Sequence, residues 1–178
     1  MENQKTSSKS VMLNYGIILG FAGIILNLGL YAFGNVYKPH WLFAILGIGV
    51  TIAIIVLGIK KFKTQNSGFL KLGEALKIGL GIALISGIIG VIYMLIFANF
   101  IEPEHYKNIV EAQMNAALEI NPDMSEDQIE ASQKMLNMTS GPAIGSAIAI
   151  IGSLFMGFII SLIGGLIMKK SDEEITSI

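Results

Sequence analysis

The chain has 178 residues, 53% apolar and 14% charged, with a net charge of −1, a mean hydropathy of +0.66, no cysteine and no arginine. A soluble domain carries about 25% charged residues, so the composition excludes an ordinary soluble fold. It also excludes a net positive field for nucleic acid, disulfides, thiolate metal sites and bidentate guanidinium recognition of phosphate.

A short polar tail, residues 1–10, precedes the first apolar run at 11–33. Crossing a hydrocarbon core takes about 20 apolar residues of helix. Four runs meet that length, 11–33, 41–59, 78–100 and 143–168, and none contains Asp, Glu, Lys or His. The first run carries Gly16, Gly20 and Asn27, and Tyr31, Tyr37 and Trp41 flank the hairpin to the second. Amphipathic rings favour the interface, so Trp41 reads as an interfacial anchor. The second run holds one polar residue, Thr51.

A lysine-rich loop, residues 60–77, follows. Within it Glu74 lies three residues from both Lys71 and Lys77. An acid at a helix start is stabilised by the helix dipole, and the two lysines are at pairing distance along a helix. Glu74, Lys71 and Lys77 are therefore expected to anchor the third span at the interface, on an amphipathic lead-in with Phe69, Leu72 and Leu76 as its apolar stripe. The third run carries Gly79, Ala83 and Gly87 at four-residue steps, and Ser86.

Residues 101–140 form the one sizeable polar segment, with eight acids against Lys107 and Lys134. Pro103 suits a helix start. Tyr106, Ile109, Val110, Met114, Ala117 and Leu118 give a helical apolar face. Asn121 to Met124 read as a turn, and Ser125 with Gln128 as a capping box that opens a second helix. Ile129, Met135, Leu136 and Met138 give it a second, weaker apolar face, and the apolar side of the two-helix hairpin is expected to rest on the spans or the interface. Glu102, Glu104 and His105 cluster, with His40 on the same side, but their spacing matches no metal-ligand pattern, and a solvated acidic face is expected there. No metal and no cofactor are assigned.

The last unit, residues 141–178, is the fourth span and a tail. Gly141, Gly145, Ala149, Ser153, Gly157, Ser161 and Gly165 recur at strict four-residue steps. Small residues at this spacing let helix backbones approach closely. Such a stripe drifts about 40° per step around the helix, since 3.6 residues make a turn. The two halves of the span are therefore expected to face different neighbours, with the third span the first choice of partner and the first span the next.

Nine lysines fall on the side of the termini and the 60–77 loop, against Lys38, Lys107 and Lys134 on the other. Cytoplasmic flanks keep positive charge, which orients the chain N-in and C-in with an extracytoplasmic hairpin. The fold expected is all-α, an integral membrane four-helix bundle with an amphipathic helical hairpin between spans 3 and 4.

The block from Gly68 to Gly79, "GFLKLGEALKIG", followed by a glycine-rich span, "FIEPEHY" and "MSEDQIEASQKML", resembles the domain-of-unknown-function family 4199, bacterial four-span membrane proteins. The resemblance covers roughly Met12 to Lys170. It implies a bacterial cytoplasmic membrane and brings no activity or site residue.

No titratable side chain lies at mid-membrane, where a transporter or channel would place one. The span polar residues Asn27, Thr51 and Ser86 read as helix contacts. A non-catalytic membrane protein is expected, with the bilayer and either a second copy or another membrane protein as partners, and no nucleic acid. The alternative is a small oligomeric transport component with Asn27, Ser86 or Thr51 lining a path.

Overall fold

The computed structural model describes residues 8–170. Most of both polar tails, Lys5 included, lies outside the described residues. Six α-helices follow in order: α1 Ser8–Phe33, α2 Trp41–Gln65, α3 Leu72–Ile96, α4 His105–Ile120, α5 Glu126–Ser140 and α6 Pro142–Met168. A π-helical turn, Phe97–Ile101, extends α3. Four of these elements (α1, α2, α3 with its π turn, and α6) are long and apolar enough to cross a membrane. Together with the hairpin α4–α5 they make an all-α membrane bundle.

The exterior fits that reading. Only 17–22% of each span's most apolar window is buried inside the chain. Phe21, Ile25, Ile45, Ile92, Ile151, Phe155 and Ile167 all face outward. Apolar exposure on this scale is far beyond the patches of soluble monomers.

Helix α3 is the centre, packed along α1 on one side and α6 on the other, and α2 contacts all three. The core lies toward the end that bears the α2–α3 connection, called here the lysine end. Ile55, Ile59, Leu70, Ile78 and Ile82 are fully buried there, and Val11 and Ile160 pack with them.

The lysine end is also closed by backbone. The 60–77 stretch is mostly helical, and only residues 66–71 are not. Lysine and glutamine are good helix formers, and lysine stems run along apolar surface while their heads reach water, so α2 continues past its apolar run. Ser67 (φ 56°) and Gly68 (φ 84°) turn the chain back. Leu70 then exchanges backbone hydrogen bonds with Lys170, at 2.9 and 3.0 Å. Lys63 Nζ donates to the Met168 carbonyl at 2.7 Å, a cation satisfying the C-terminus of α6.

The opposite end, the hairpin end, is open. Residues 41–46 of α2 are exposed on every side. The hairpin meets α6 through α5, and a cavity lies between α4 and the α3–α6 pair. α4 buries His105, Val110 and Met114, whereas α5 buries no residue. On the hairpin's apolar side Val110 and Met114 of α4 are buried, Ile129 and Leu136 of α5 are half-buried, and Met135 and Met138 are exposed. Ser125 and Gln128 form the expected capping box, at 3.0 and 3.4 Å. Gly141 is the corner between α5 and α6, with Pro142 opening α6, and does not take part in the α6 face.

Candidate functional site

The small residues divide into two sets. In the first they are spent on close helix contact. A Cβ on Gly79 would strike Ser161, and one on Gly157 would strike Ala83. A Cβ on Gly87 would lie 2.6 Å from Ser153 Oγ, and one on Gly165 2.8 Å from the Ala75 Cβ. Four successive members of the α6 stripe, Ser153 to Gly165, therefore face α3. Gly16 and Gly20 face Ile85 and Ile89 of α3, at 2.7 and 2.8 Å for a built Cβ, so the first span meets α3 rather than α6. The hairpin half of the stripe behaves differently. Gly145 and Ala149 leave α3 and line a cavity under α4.

In the second set the glycines touch nothing. A Cβ on Gly23, Gly47, Gly90 or Gly152 would meet no atom within 4 Å. All four line one wedge of about 620 Å³ between the hairpin half of α2 and helices α1, α3 and α6. A branch of about 340 Å³ opens between α1 and α2 beside Leu26, Leu30 and Val50.

The polar residues of the spans converge on this wedge: Asn27, Thr51, Ser86 and Ser153 all line it. Each makes a hydrogen bond within the chain. Tyr93 donates its hydroxyl to Asn27 Oδ1 at 2.8 Å, bridging α3 and α1. Thr51 donates to the Gly47 carbonyl at 2.8 Å. Ser86 donates to the Ala83 carbonyl at 3.0 Å, and Ser153 donates to the Ile150 carbonyl of its own helix at 2.8 Å, with the Ala83 carbonyl 3.3 Å away across helices. The wedge is thus an apolar, glycine-floored recess, with the Tyr93–Asn27 bond tying α3 to α1 beside it. Toward the lysine end it stops at the buried isoleucine core.

Glu74 is a helix cap. Its carboxylate accepts the backbone N–H of Lys71 at 2.8 Å. The side-chain pairing with Lys71 and Lys77 expected from spacing is not among the ion pairs of the described residues, which join Lys38 to Glu119 and Lys107 to Glu104 and Glu111. A carboxylate that turns back onto its own N-cap is drawn away from lysines reaching for water. Trp41 is exposed, stacked 5.6 Å from His40, which caps α2 through the Leu42 N–H.

The cluster at the hairpin base was not legible as what it is. His105 is buried, not part of a solvated acidic face. Its ring packs edge-on against Phe97 at 5.2 Å and against Tyr37 and Tyr106 at 5.6 and 5.5 Å. The π turn sets this up, because the Glu102 N–H reaches back to the Phe97 carbonyl and swings both residues toward α4. Tyr37 Oη lies 3.2 Å from Nδ1 of His105, Asn108 contacts both Tyr37 and Glu102, and Tyr31 donates to Glu102 at 3.0 Å. Nε2 of His105 is enclosed and has no partner. Such a buried polar atom costs about 1–3 kcal/mol. Burial pushes the imidazole below its ordinary range against the opposing pull of the Glu102 charge, and pushes the Tyr37 phenol up. Among the described residues no group of three or more His, Asp or Glu side chains is placed to hold a metal ion.

The family model described as protein of unknown function (DUF4199) matches residues 14–170. The chain belongs to this family. The match takes in most of the first span, the other three spans and the hairpin of this DUF4199 chain. No curated protein and no solved structure matches it.

Proposed function

We propose that this DUF4199 protein works by binding rather than catalysis, and that its wedge receives a transmembrane helix of a partner protein. The observation that carries this reading is the second set of glycines. Glycine in a span permits close helix approach at a cost in helix stability, and Gly23, Gly47, Gly90 and Gly152 recover none of that cost inside the chain. A helix entering the wedge would meet bare backbone on three sides.

Transport is the second reading, favoured by the convergence of Asn27, Thr51 and Ser86 on one recess. Two features weigh against it. The hydroxyl hydrogens are already donated to carbonyls, and the isoleucine core blocks the lysine end. We further assign the lysine end to the cytoplasm of a bacterial cell, since nine of twelve lysines lie on that side of the chain.

The chain has no cysteine, so Ala44→Cys on the wall of the wedge gives a single reactive site. Crosslinking in native membranes is expected to yield one discrete protein adduct, whose mass separates a second copy from another protein, and Gly47→Leu is expected to abolish it. An adduct that Gly47→Leu leaves untouched refutes the wedge as the docking site. Solute flux in liposomes that Asn27→Leu stops would favour transport instead.

A further inference from the structure

The connection between α1 and α2, residues 34–40, is tied to α4 at three points. Tyr37 Oη lies 3.2 Å from Nδ1 of His105, Asn108 Nδ2 donates to the same Tyr37 oxygen at 3.5 Å, and Lys38 pairs with Glu119 at 2.8 Å. The lysine pair is exposed on both sides, and such pairs contribute little, so the part-buried Tyr37 contacts carry the tie. Leu30 of α1 and Phe43 of α2, on either side of the connection, line a branch of the wedge. Residues 41–46 of α2 are themselves exposed on every side, so the connection is what positions them. At the foot of α4, residues 102–104 are a non-helical break after the π turn, where the hairpin can swing.

We propose that His105 is a pH-sensitive latch: protonation of its imidazole parts α4 from Tyr37 and frees the α1–α2 connection, and with it the hairpin half of α2 that walls the wedge. The consequence for the wedge rests on the docking role proposed above; the latch itself does not. The direction follows from the ring's surroundings. A hydroxyl both donates and accepts, so Tyr37 satisfies Nδ1 whichever ring nitrogen carries the proton. Nε2 is enclosed and has no partner in either tautomer. In the imidazolium both nitrogens carry hydrogen, and Nε2 becomes a cationic donor without an acceptor, which costs more than a neutral orphan. Glu102 is the acid whose charge bears on the ring, and its oxygens already accept from Tyr31 and Asn108, at 3.0 and 3.3 Å. Glu104 and Lys107, on the same helical turn, pair with each other 3.7 Å apart. Tyr37 and Tyr106 are the other titratable groups against the ring, and Phe97 closes it from the π turn. The residues of α3, α5 and α6 that share a cavity with His105 carry no titratable group. Burial outweighs the pull of Glu102, so the closed latch resists a proton that the opened one takes near its ordinary 6.5. Opening is thus favoured about tenfold for each pH unit below that value, until the closed form is protonated too.

The test uses the full chain in nanodiscs, with His40→Gln so that His105 is the remaining histidine of the two. Spin labels at Pro39→Cys and Ala116→Cys, both exposed positions, report the distance from the connection to α4 by double electron–electron resonance. The pH is lowered from about 7.5 to about 5, across the ordinary histidine range. A longer distance is expected to appear, its population relative to the shorter one rising about tenfold per pH unit below 6.5, in step with the ¹³C-histidine titration of His105. In His105→Gln the distances are expected not to move with pH. Distances that stay fixed with His105 present, that move equally in His105→Gln, or that move out of step with the histidine titration each overturn the latch. The crosslink from Ala44→Cys to the partner helix is expected to fall with acid when His105 is present and to hold in His105→Gln. A crosslink that acid leaves unchanged while the distances lengthen overturns the release of the wedge wall. Distances that switch with no adduct at any pH bear out the latch and refute the docking role of the wedge.

Discussion

The two sets of glycines make opposite predictions on the same helices. Gly79 and Gly90 both lie on α3, and Gly157 and Gly152 both lie on α6. An alanine at Gly79 would drive its Cβ into Ser161, with the Gly157 carbonyl 3.3 Å away. An alanine at Gly157 would meet Ala83 and the Gly79 carbonyl at 3.2 Å. The obstacles are backbone and Cβ atoms, which cannot rotate aside, so α3 and α6 must separate. Overpacking of this kind costs about 1–3 kcal/mol. Every Gly→Ala change also gains up to about 1 kcal/mol in helix propensity. That gain is common to all four variants and cancels within each helix pair. The difference between Gly79→Ala and Gly90→Ala, or between Gly157→Ala and Gly152→Ala, should therefore read the overpacking term alone, about 1–3 kcal/mol. Reversible unfolding by SDS in mixed micelles, followed by helical circular dichroism and by the fluorescence of Trp41, the single tryptophan, measures it. Seam variants should unfold at lower SDS than wild type, and wedge variants at equal or higher SDS. If Gly79→Ala and Gly157→Ala unfold no earlier than their wedge counterparts, the α3–α6 seam is not packed through these glycines, and the division into spent and unspent glycines fails.

Three further outcomes follow from other contacts. Asn27→Leu and Tyr93→Phe should each destabilise by about 0.6–1.7 kcal/mol, and the double variant should cost less than their sum; strict additivity in the cycle would mean the bond contributes nothing. Because burial holds His105 below its ordinary 6.5, the unfolded chain binds its proton first, so hairpin stability is full above that value and declines as pH falls toward the lowered folded value. Amide exchange across residues 105–114 should accelerate with acid in wild type and lose that dependence in His105→Gln; equal acid sensitivity in both would place the titrating group elsewhere. Glu74→Ala should lower the unfolding midpoint by the loss of a helix cap, about 0.5–1 kcal/mol, with Glu74→Gln nearer wild type because an amide oxygen still accepts from the Lys71 N–H; equal losses would point to charge rather than capping.

The spans were legible because about 20 apolar residues in a row have few other destinations. The hairpin was legible because Pro103, the Asn121–Met124 turn and the Ser125–Gln128 box are local signals, each complete within a few residues. What failed was whatever depends on distant pairs. Spacing located the α6 stripe but could not say that Ser153 to Gly165 stay on α3 while Gly145 and Ala149 turn to the hairpin. His105 was weighed with Glu102 and Glu104 because they adjoin it in sequence. Its decisive contact is Tyr37, 68 residues earlier, and the π turn that presents Phe97 has no pattern of its own. Glu74 shows the converse error. Spacing brought lysines within reach, and the carboxylate took the backbone N–H instead.

An open wedge in a four-helix bundle requires a reason to persist. In water, the exposed first turns of α2 would collapse onto α1 and α3, because every buried apolar Å² is favourable by about 25 cal/mol. In lipid that force vanishes, since a hydrocarbon tail is as apolar as the face of Phe43 or Ile48, and only packing, hydrogen bonds and lipid entropy decide. The lysine end has those terms: fully buried isoleucines, the Leu70–Lys170 backbone pair and the Lys63 cap on α6. The hairpin half of α2 has almost none, and its Gly47 offers no side chain to bridge the gap. A flexible acyl chain can fill such a space only by losing its own freedom. A rigid helix with small side chains fills it with its disorder already lost and with backbone in contact on three sides. The same glycines that leave the wedge open thus support the proposed protein helix, rather than lipid, as its occupant.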